Sequence, residues 1–175
     1  MNELRLAIPA PEHAAEVAAY RAEMLAAGSE FDGCGGLKDY EDAAEWITWI
    51  RLFEREETKP VPDWVTAQQY LLMQNERVLG MINMRLHINN EFLAEYFGHI
   101  GYSVRPSERR KGYATAMLGL ALRECPQLGL PRVLVTALAD NMPSRKVIEA
   151  NGGQFERYTS PESKILVHAR YWINL

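Results

Sequence analysis

The run Val104–Leu118, VRPSERRKGYATAML, sets a strand end, a basic turn, a glycine and a helix start in direct succession. Arg105-Pro106 stops the strand, because a residue ahead of proline is restricted and proline has no N–H to give a ladder. From Ala114 the apolar residues Met117, Leu118, Ala121 and Leu122 recur at helical spacing until Pro126. The first-turn amides of a helix lack internal partners and lie at the positive end of its dipole, so an anion there satisfies several donors together. Gly112 allows close backbone approach. Arg109, Arg110 and Lys111 add mobile positive charge, and arginine can grip phosphate oxygens through two donors. The run reads as a cradle for a polyphosphate; a solvated basic turn ahead of a capped surface helix is the plainer alternative.

Working outward, Gly98–Val104 reads as the strand feeding the turn, Arg132–Leu138 as a buried strand, and Asn141–Ala150 as a helix closed by Asn151-Gly152. Trp64–Met73 and Val78–His87 form a hairpin about QNER, and Asn89–Phe97 is a connection. Leu4–Ile8 is a first strand, Pro9 and Pro11 break it, and an alanine-rich helix runs toward Ala26, where Gly28 stops it. The run GSEFDGCGGLK is too glycine-rich for regular structure. Asp39 is the expected N-cap of a second helix that turns Trp46, Ile50 and Phe53 inward and fades near Glu57. Lys59–Asp63 is a proline-flanked loop, and Ile165–Ile173 is a final alternating strand.

At 175 residues, 47% apolar and 24% charged, the chain has the size and composition of one ordinary globular domain. A net charge of −4 gives no global attraction to nucleic acid or anionic lipid, the basic turn being a local exception. Cys34 and Cys125 lie far apart without a CxxC pattern, so neither a disulfide framework nor a metal site is expected. MNELRLAIPAPEH lacks the basic start and apolar core of a signal peptide, and no stretch approaches bilayer length. The expectation is a cytoplasmic protein without a nucleic-acid or membrane partner.

Three runs in this order, HIGYSVRP with its basic turn, VLVTALADN and PSRKVIEANGG, together cover residues 98 to 153, and here the chain resembles the GNAT superfamily of N-acetyltransferases. The family's pyrophosphate-loop pattern Q/R-x-x-G-x-G/A is met by Arg109, Gly112 and Ala114. The resemblance implies a single mixed α+β domain over residues 1–175: a mostly antiparallel twisted sheet of about seven strands, splayed between the fourth and fifth, flanked by about four helices. It implies acetyl-CoA as cosubstrate and no metal. The pantetheine arm would run between the splayed strands, held by backbone near Val104, with the pyrophosphate on the amides of Arg110, Lys111, Gly112, Tyr113, Ala114 and Thr115. Asn141 would reach the arm from the other side, with Ser144 and Arg145 as further contacts. Asn141 fits an N-cap equally well.

Acetyl transfer needs a neutral amine, a proton acceptor and a departing thiolate. Holding a lysine-like amine neutral at pH 7 costs roughly 4.6 kcal/mol, an α-amine only about 1 to 1.4 kcal/mol. Family members place a base on the fourth strand, which makes His99 and Glu95 the candidates and Tyr102 a polar neighbour. Unperturbed imidazole suits neutral pH, whereas Glu95 would need burial to raise its pKa. Alternation sets His99, Gly101 and Ser103 on one face and Ile100, Tyr102 and Val104 on the other. The family's pattern N-x-x-A-x-x-L-Y-E-K-x-G stands here as N-M-P-S-R-K-V-I-E-A-N-G, so Ile148 occupies the place of the usual tyrosine acid. Ser144, Tyr102 or water is left for that task.

The acceptor is expected to be a primary amine on a small molecule or peptide. Asp32, Asp39, Glu41 and Asp42 could attract a cationic amine, but such a run of charge reads first as solvated surface and names no substrate. Trp46, Trp49, Trp64 and Trp172 read as core or interface aromatics rather than a substrate cage, and Tyr171-Trp172-Ile173 as a possible homodimer contact. Two other functions fit less of the pattern. A noncatalytic acyl-CoA sensor accommodates Ile148; a nucleotide-binding module lacks its GxxxxGK[ST] run.

Overall fold

A computed structural model describes residues 3–160 and 166–175. Seven strands form one sheet: β1 Leu4–Ala7, β2 Ala67–Gln74, β3 Arg77–Arg85, β4 Ile100–Val104, β5 Arg132–Leu138, β6 Gln154–Tyr158 and β7 His168–Asn174. Their spatial order is β1-β2-β3-β4-β5-β7-β6. Every neighbouring pair is antiparallel except β4 and β5, which run parallel. Four α-helices cover it: α1 Ala14–Ala26, α2 Ala43–Arg51, α3 Tyr113–Glu124 and α4 Met142–Ala150.

Burial on both faces explains why β2 and β3 read as continuous apolar runs rather than as alternation. Leu72 and Ile82 pack with Met117, Leu118, Val135 and Ile148 on the α3–α4 side. Their neighbours Leu71, Met73 and Met81 pack with Val17, Tyr20, Trp46 and Ile50 on the α1–α2 side. Ile148 is fully buried there, where the resembling family carries a tyrosine.

Several boundaries differ from the sequence reading. Asp42 caps α2, accepting from the Ala44 N–H at 2.7 Å, because Asp39 is already used in a short 3-10 turn over Leu37–Asp39. β2 begins at Ala67, so Trp64 stays outside the sheet. The connection ends in one wide helical turn, Leu93–Phe97. β6 was not anticipated: its residues are all exposed, and only its pairing with β7 makes it a strand. Ile165, the expected start of the last strand, lies outside the described residues. Tyr171 and Ile173 are core residues and Trp172 packs under Arg132 at 4.3 Å, so the chain's own sheet uses the side chains proposed for a dimer contact.

Arg105, at the end of β4, is buried. Its guanidinium meets Glu16 at 3.1 Å, Glu23 at 3.0 Å and the Val78 carbonyl at 3.1 Å. It thereby clamps α1 to the end of β4.

Candidate active site

The beginning of β4 meets the middle of β5, and there the pairing stops. Ile100 pairs with Val135, Gly98 bridges to Val135, and no paired register follows. His99 makes the seam: its N–H donates to the Leu134 carbonyl at 2.8 Å, and its Nδ1 accepts the Leu134 N–H at 2.9 Å. The imidazole supplies the acceptor that a continued ladder would have supplied. Toward their C-terminal ends the strands diverge, and the antiparallel register of β3 with β4 sets the direction of the spare backbone groups. The flanking bonds, Arg85 N–H to His99 and Arg105 N–H to Leu79, turn the His99 carbonyl, both backbone groups of Gly101 and Ser103, and the Arg105 N–H toward β3. Those of Tyr102 and Val104 therefore face the open V.

The V leads to the start of α3. Gly112 is its N-cap with φ of 82°, contributes no side-chain cap, and has open space where a Cβ would stand. Arg110 also holds a positive φ of 65°, unusual for a side-chain-bearing residue, so the turn stores modest strain to curl its amides. The first-turn amides of Tyr113, Ala114 and Thr115 are left for a ligand, which fits a diphosphate.

The basic side chains divide. Arg109 turns inward, its Nε donating to the Val104 carbonyl at 3.0 Å and an Nη to Ser29 Oγ at 3.0 Å. Lys111 pairs with Glu108 at 2.8 Å. Arg110 is exposed on the turn. Across the V, Asn141 caps α4 through the Ser144 N–H at 3.2 Å, and Arg145 bonds Tyr171 Oη and the Ala139 carbonyl, each at 2.8 Å. Arg109 and Arg145 therefore shape the walls instead of projecting mobile charge into them.

Tyr102 Oη and Ser144 Oγ lie 2.8 Å apart and link β4 to α4 across the V. Burial pushes the Tyr102 phenol up to about 12, which makes it a hydrogen-bond donor and a poor acid. The two expected bases are engaged elsewhere. Burial first, and the Arg85 charge second, hold His99 down at about 4. Glu95 forms a two-pronged pair with Arg157 at 2.9 and 2.6 Å, which lowers its pKa. Arg170 fastens the same turn by donating to the Glu95 carbonyl at 2.8 Å.

On the α1–α2 face a pocket of about 480 Å³ opens beside β3 and the glycine-rich loop. Its walls include Phe31, Phe53, Trp64, Phe92 and Phe97, with Asp32, Asn83 and Arg85 among its polar groups. Neither His99 nor Glu95 is among the described residues that line it. Trp64 is thus a pocket wall, not a core residue. The loop lies directly on β4: a Cβ at Gly33 would stand 2.2 Å from the Gly101 carbonyl oxygen, and Ser103 Oγ donates to the Asp32 carbonyl at 2.6 Å. Desolvation and the neighbouring Glu30 raise the pKa of the Asp32 carboxyl, against the charges of His168 and Arg85. Cys34 beside it is buried, with its thiol pushed up to about 12 by desolvation, so it is no nucleophile. Asp32 stood in the sequence only within a run of acidic residues; what singles it out is the glycine pair Gly33 and Gly101, where backbone lies on backbone.

Comparisons with known proteins agree with this geometry. The family model described as acetyltransferase (GNAT) domain matches residues 3–154. Comparison with curated protein sequences returns no match. Among solved structures, the microcin C7 self-immunity acetyltransferase MccE, in complex with acetyl-CoA and AMP, superposes with a TM-score of 0.71 at 16% identity, over 100% of this chain and 94% of that one. The ribosomal L7/L12 α-N-protein acetyltransferase RimL, in complex with coenzyme A, gives 0.72 at 14% identity, over 100% and 96%. Mycobacterium smegmatis RimJ with a CoA disulfide gives 0.70 at 20%, over 98% and 81%. With the splayed strands, the uncapped helix start and a family match over most of its length, the chain belongs to the GNAT acetyltransferase family.

Proposed function

We propose that the chain is an acetyl-CoA-dependent N-acetyltransferase acting on a primary amine by direct attack on the thioester. The observation that carries this is the V between β4 and β5 opening onto the uncapped start of α3. Neighbouring structures that hold acetyl-CoA or coenzyme A share the fold and support the ligand. When bound, acetyl-CoA supplies an activated acyl carbon and a thiolate leaving group.

The chain's residues would divide the remaining work. The amides of residues 110 to 115 hold the diphosphate, with Arg110 as the side chain free to follow it. Backbone groups of Tyr102 and Val104 receive the arm as an added strand would be received. The Ser144 hydroxyl, backed by Tyr102 Oη, donates a hydrogen bond to the departing sulfur. Asp32 faces the incoming amine and takes its proton. His99 keeps the base of the V closed. It does so as a neutral ring.

The test couples calorimetry to turnover. Acetyl-CoA should bind with measurable heat, and free CoA should appear on addition of a panel of primary amines. Binding without CoA release across the panel indicates the noncatalytic sensor, a reading favoured by the buried Ile148. Absence of binding to a folded sample removes both.

A further inference from the structure

The acceptor pocket carries two charges of opposite sign that do not neutralise each other. Neither Asp32 nor Arg85 takes part in an ion pair within 4.0 Å among the described residues, although both line the same space. Among the described residues the Arg85 guanidinium makes one hydrogen bond, from Nη1 to the Gly98 carbonyl at 3.1 Å, and burial disfavours its charge. Asp32 is held against β4 through its backbone carbonyl, which accepts from Ser103 Oγ. Around them the surface is aromatic: the tilted rings of Phe53 and Trp64 lie 5.5 Å apart, and those of Phe92 and Phe97 5.2 Å.

A neutral ligand would leave both charges without a partner in a partly desolvated pocket. A simple ammonium would satisfy Asp32 alone, and a buried guanidinium without its anion is costly. A molecule carrying an ammonium and a carboxylate on one carbon, with an apolar body, satisfies both charges and the rings together. We infer that the acceptor is a free α-amino acid with a large apolar side chain, its ammonium on Asp32, its carboxylate on Arg85 and its side chain among the four rings. This rests on the N-acetyltransferase reading above.

The chemistry balances with groups already named. The ammonium loses one proton to solvent through the Asp32 carboxylate. The neutral nitrogen forms the new C–N bond as the C–S bond of acetyl-CoA breaks. Its second proton ends on sulfur, so each turnover gives the N-acetyl amino acid, CoA thiol and one released proton.

The experiment compares L-Phe, L-Trp, L-Leu and L-Met with their carboxamides, with 2-phenylethylamine and with a tripeptide beginning in Phe. The full chain is used at saturating acetyl-CoA, with release of free CoA as the readout. At least one amino acid should exceed its own amide in kcat/KM by about 10- to 100-fold, the range for a hydrogen bond to a charged group. The difference should appear mainly in KM. R85Q should bring the ratio of acid to amide close to unity while acetyl-CoA binding by calorimetry persists, which shows that the variant is folded. Equal or faster turnover of the amides, the amine or the tripeptide by the wild-type chain overturns the amino-acid assignment and leaves the acetyltransferase reading standing. No heat with acetyl-CoA overturns both.

Discussion

Replacing His99 with Gln separates a structural ring from a catalytic one. The ring is 7% exposed, and burial together with the Arg85 charge holds it at about 4 against an ordinary 6.5. Because the folded value lies below the unfolded one, the unfolded chain takes up the proton first as pH falls. The stability tied to the neutral ring is complete above about pH 6.5 and is lost as pH falls toward 4. A gap of roughly 2.5 units at 1.36 kcal/mol each amounts to about 3 kcal/mol. Gln keeps an acceptor for the Leu134 N–H but has no proton to gain. Urea unfolding of wild type and H99Q, followed by tryptophan fluorescence from pH 7.5 down to 4, should show wild type more stable at neutral pH. That advantage should shrink by about 3 kcal/mol at the acid end. Carboxylates titrate over the same range, but they are common to both proteins and cancel in the difference. A difference that stays constant with pH, or an imidazole titrating near 6.5 by NMR, refutes the reasoning. So does a kcat/KM profile whose rise near pH 6.5 disappears in H99Q, since that is the behaviour of a base.

Two further substitutions probe the walls of the site. Ser144→Ala should lower kcat by about 10- to 100-fold near pH 7 with acetyl-CoA affinity unchanged, and the deficit should narrow above the ordinary thiol pKa of about 8.5, where thiolate leaves without assistance. Steady-state rates at pH 7 and 9 check it, and an equal deficit at both would argue against a role at sulfur. Gly33→Ala sets a Cβ 2.2 Å from the Gly101 oxygen at a φ of 71°, so the loop must lift from β4. A loss of about 1 to 3 kcal/mol in unfolding free energy is expected, with a raised acceptor KM and retained acetyl-CoA binding; unaltered acceptor KM would show that Asp32 does not depend on that contact.

The donor half of the site was legible because it is local. Strand, turn, Gly112 and helix follow within fifteen residues, and each step has a short-range cause: the Arg105-Pro106 stop, the left-handed glycine, the 3.6-residue period of Met117, Leu118, Ala121 and Leu122. Where two short-range signals competed, the reading went astray. Asp39 and Asp42 are both good caps, and the choice between them was made by a turn in which the Asp39 N–H already bonds the Gly36 carbonyl. β6 had no local signal at all, since QFERY is exposed throughout and its strand character comes from Tyr171 and its neighbours across the ladder. For His99, the partner that occupies its Nδ1, Leu134, lies 35 residues away, so alternation along the strand could not reveal it.

The proposed acceptor half has the opposite construction. Asp32 comes from the loop after α1, Arg85 from the end of β3, Trp64 from the strand's approach and Phe97 from the turn before β4, and no two of them are close in sequence. Each is unremarkable where it stands: an acidic residue among glycines, a strand-end arginine, an aromatic near prolines. Their meaning arises only when β4 is bare enough at Gly101 for the loop to lie on it. Donor recognition can therefore be encoded in a contiguous motif, because the phosphate is held by backbone amides that any sequence with the right turn will present. Acceptor recognition depends on side chains gathered from separate segments. On the proposed reading, changing Asp32 or Arg85 is expected to alter the acceptor while acetyl-CoA binding through the Val104–Leu118 run persists.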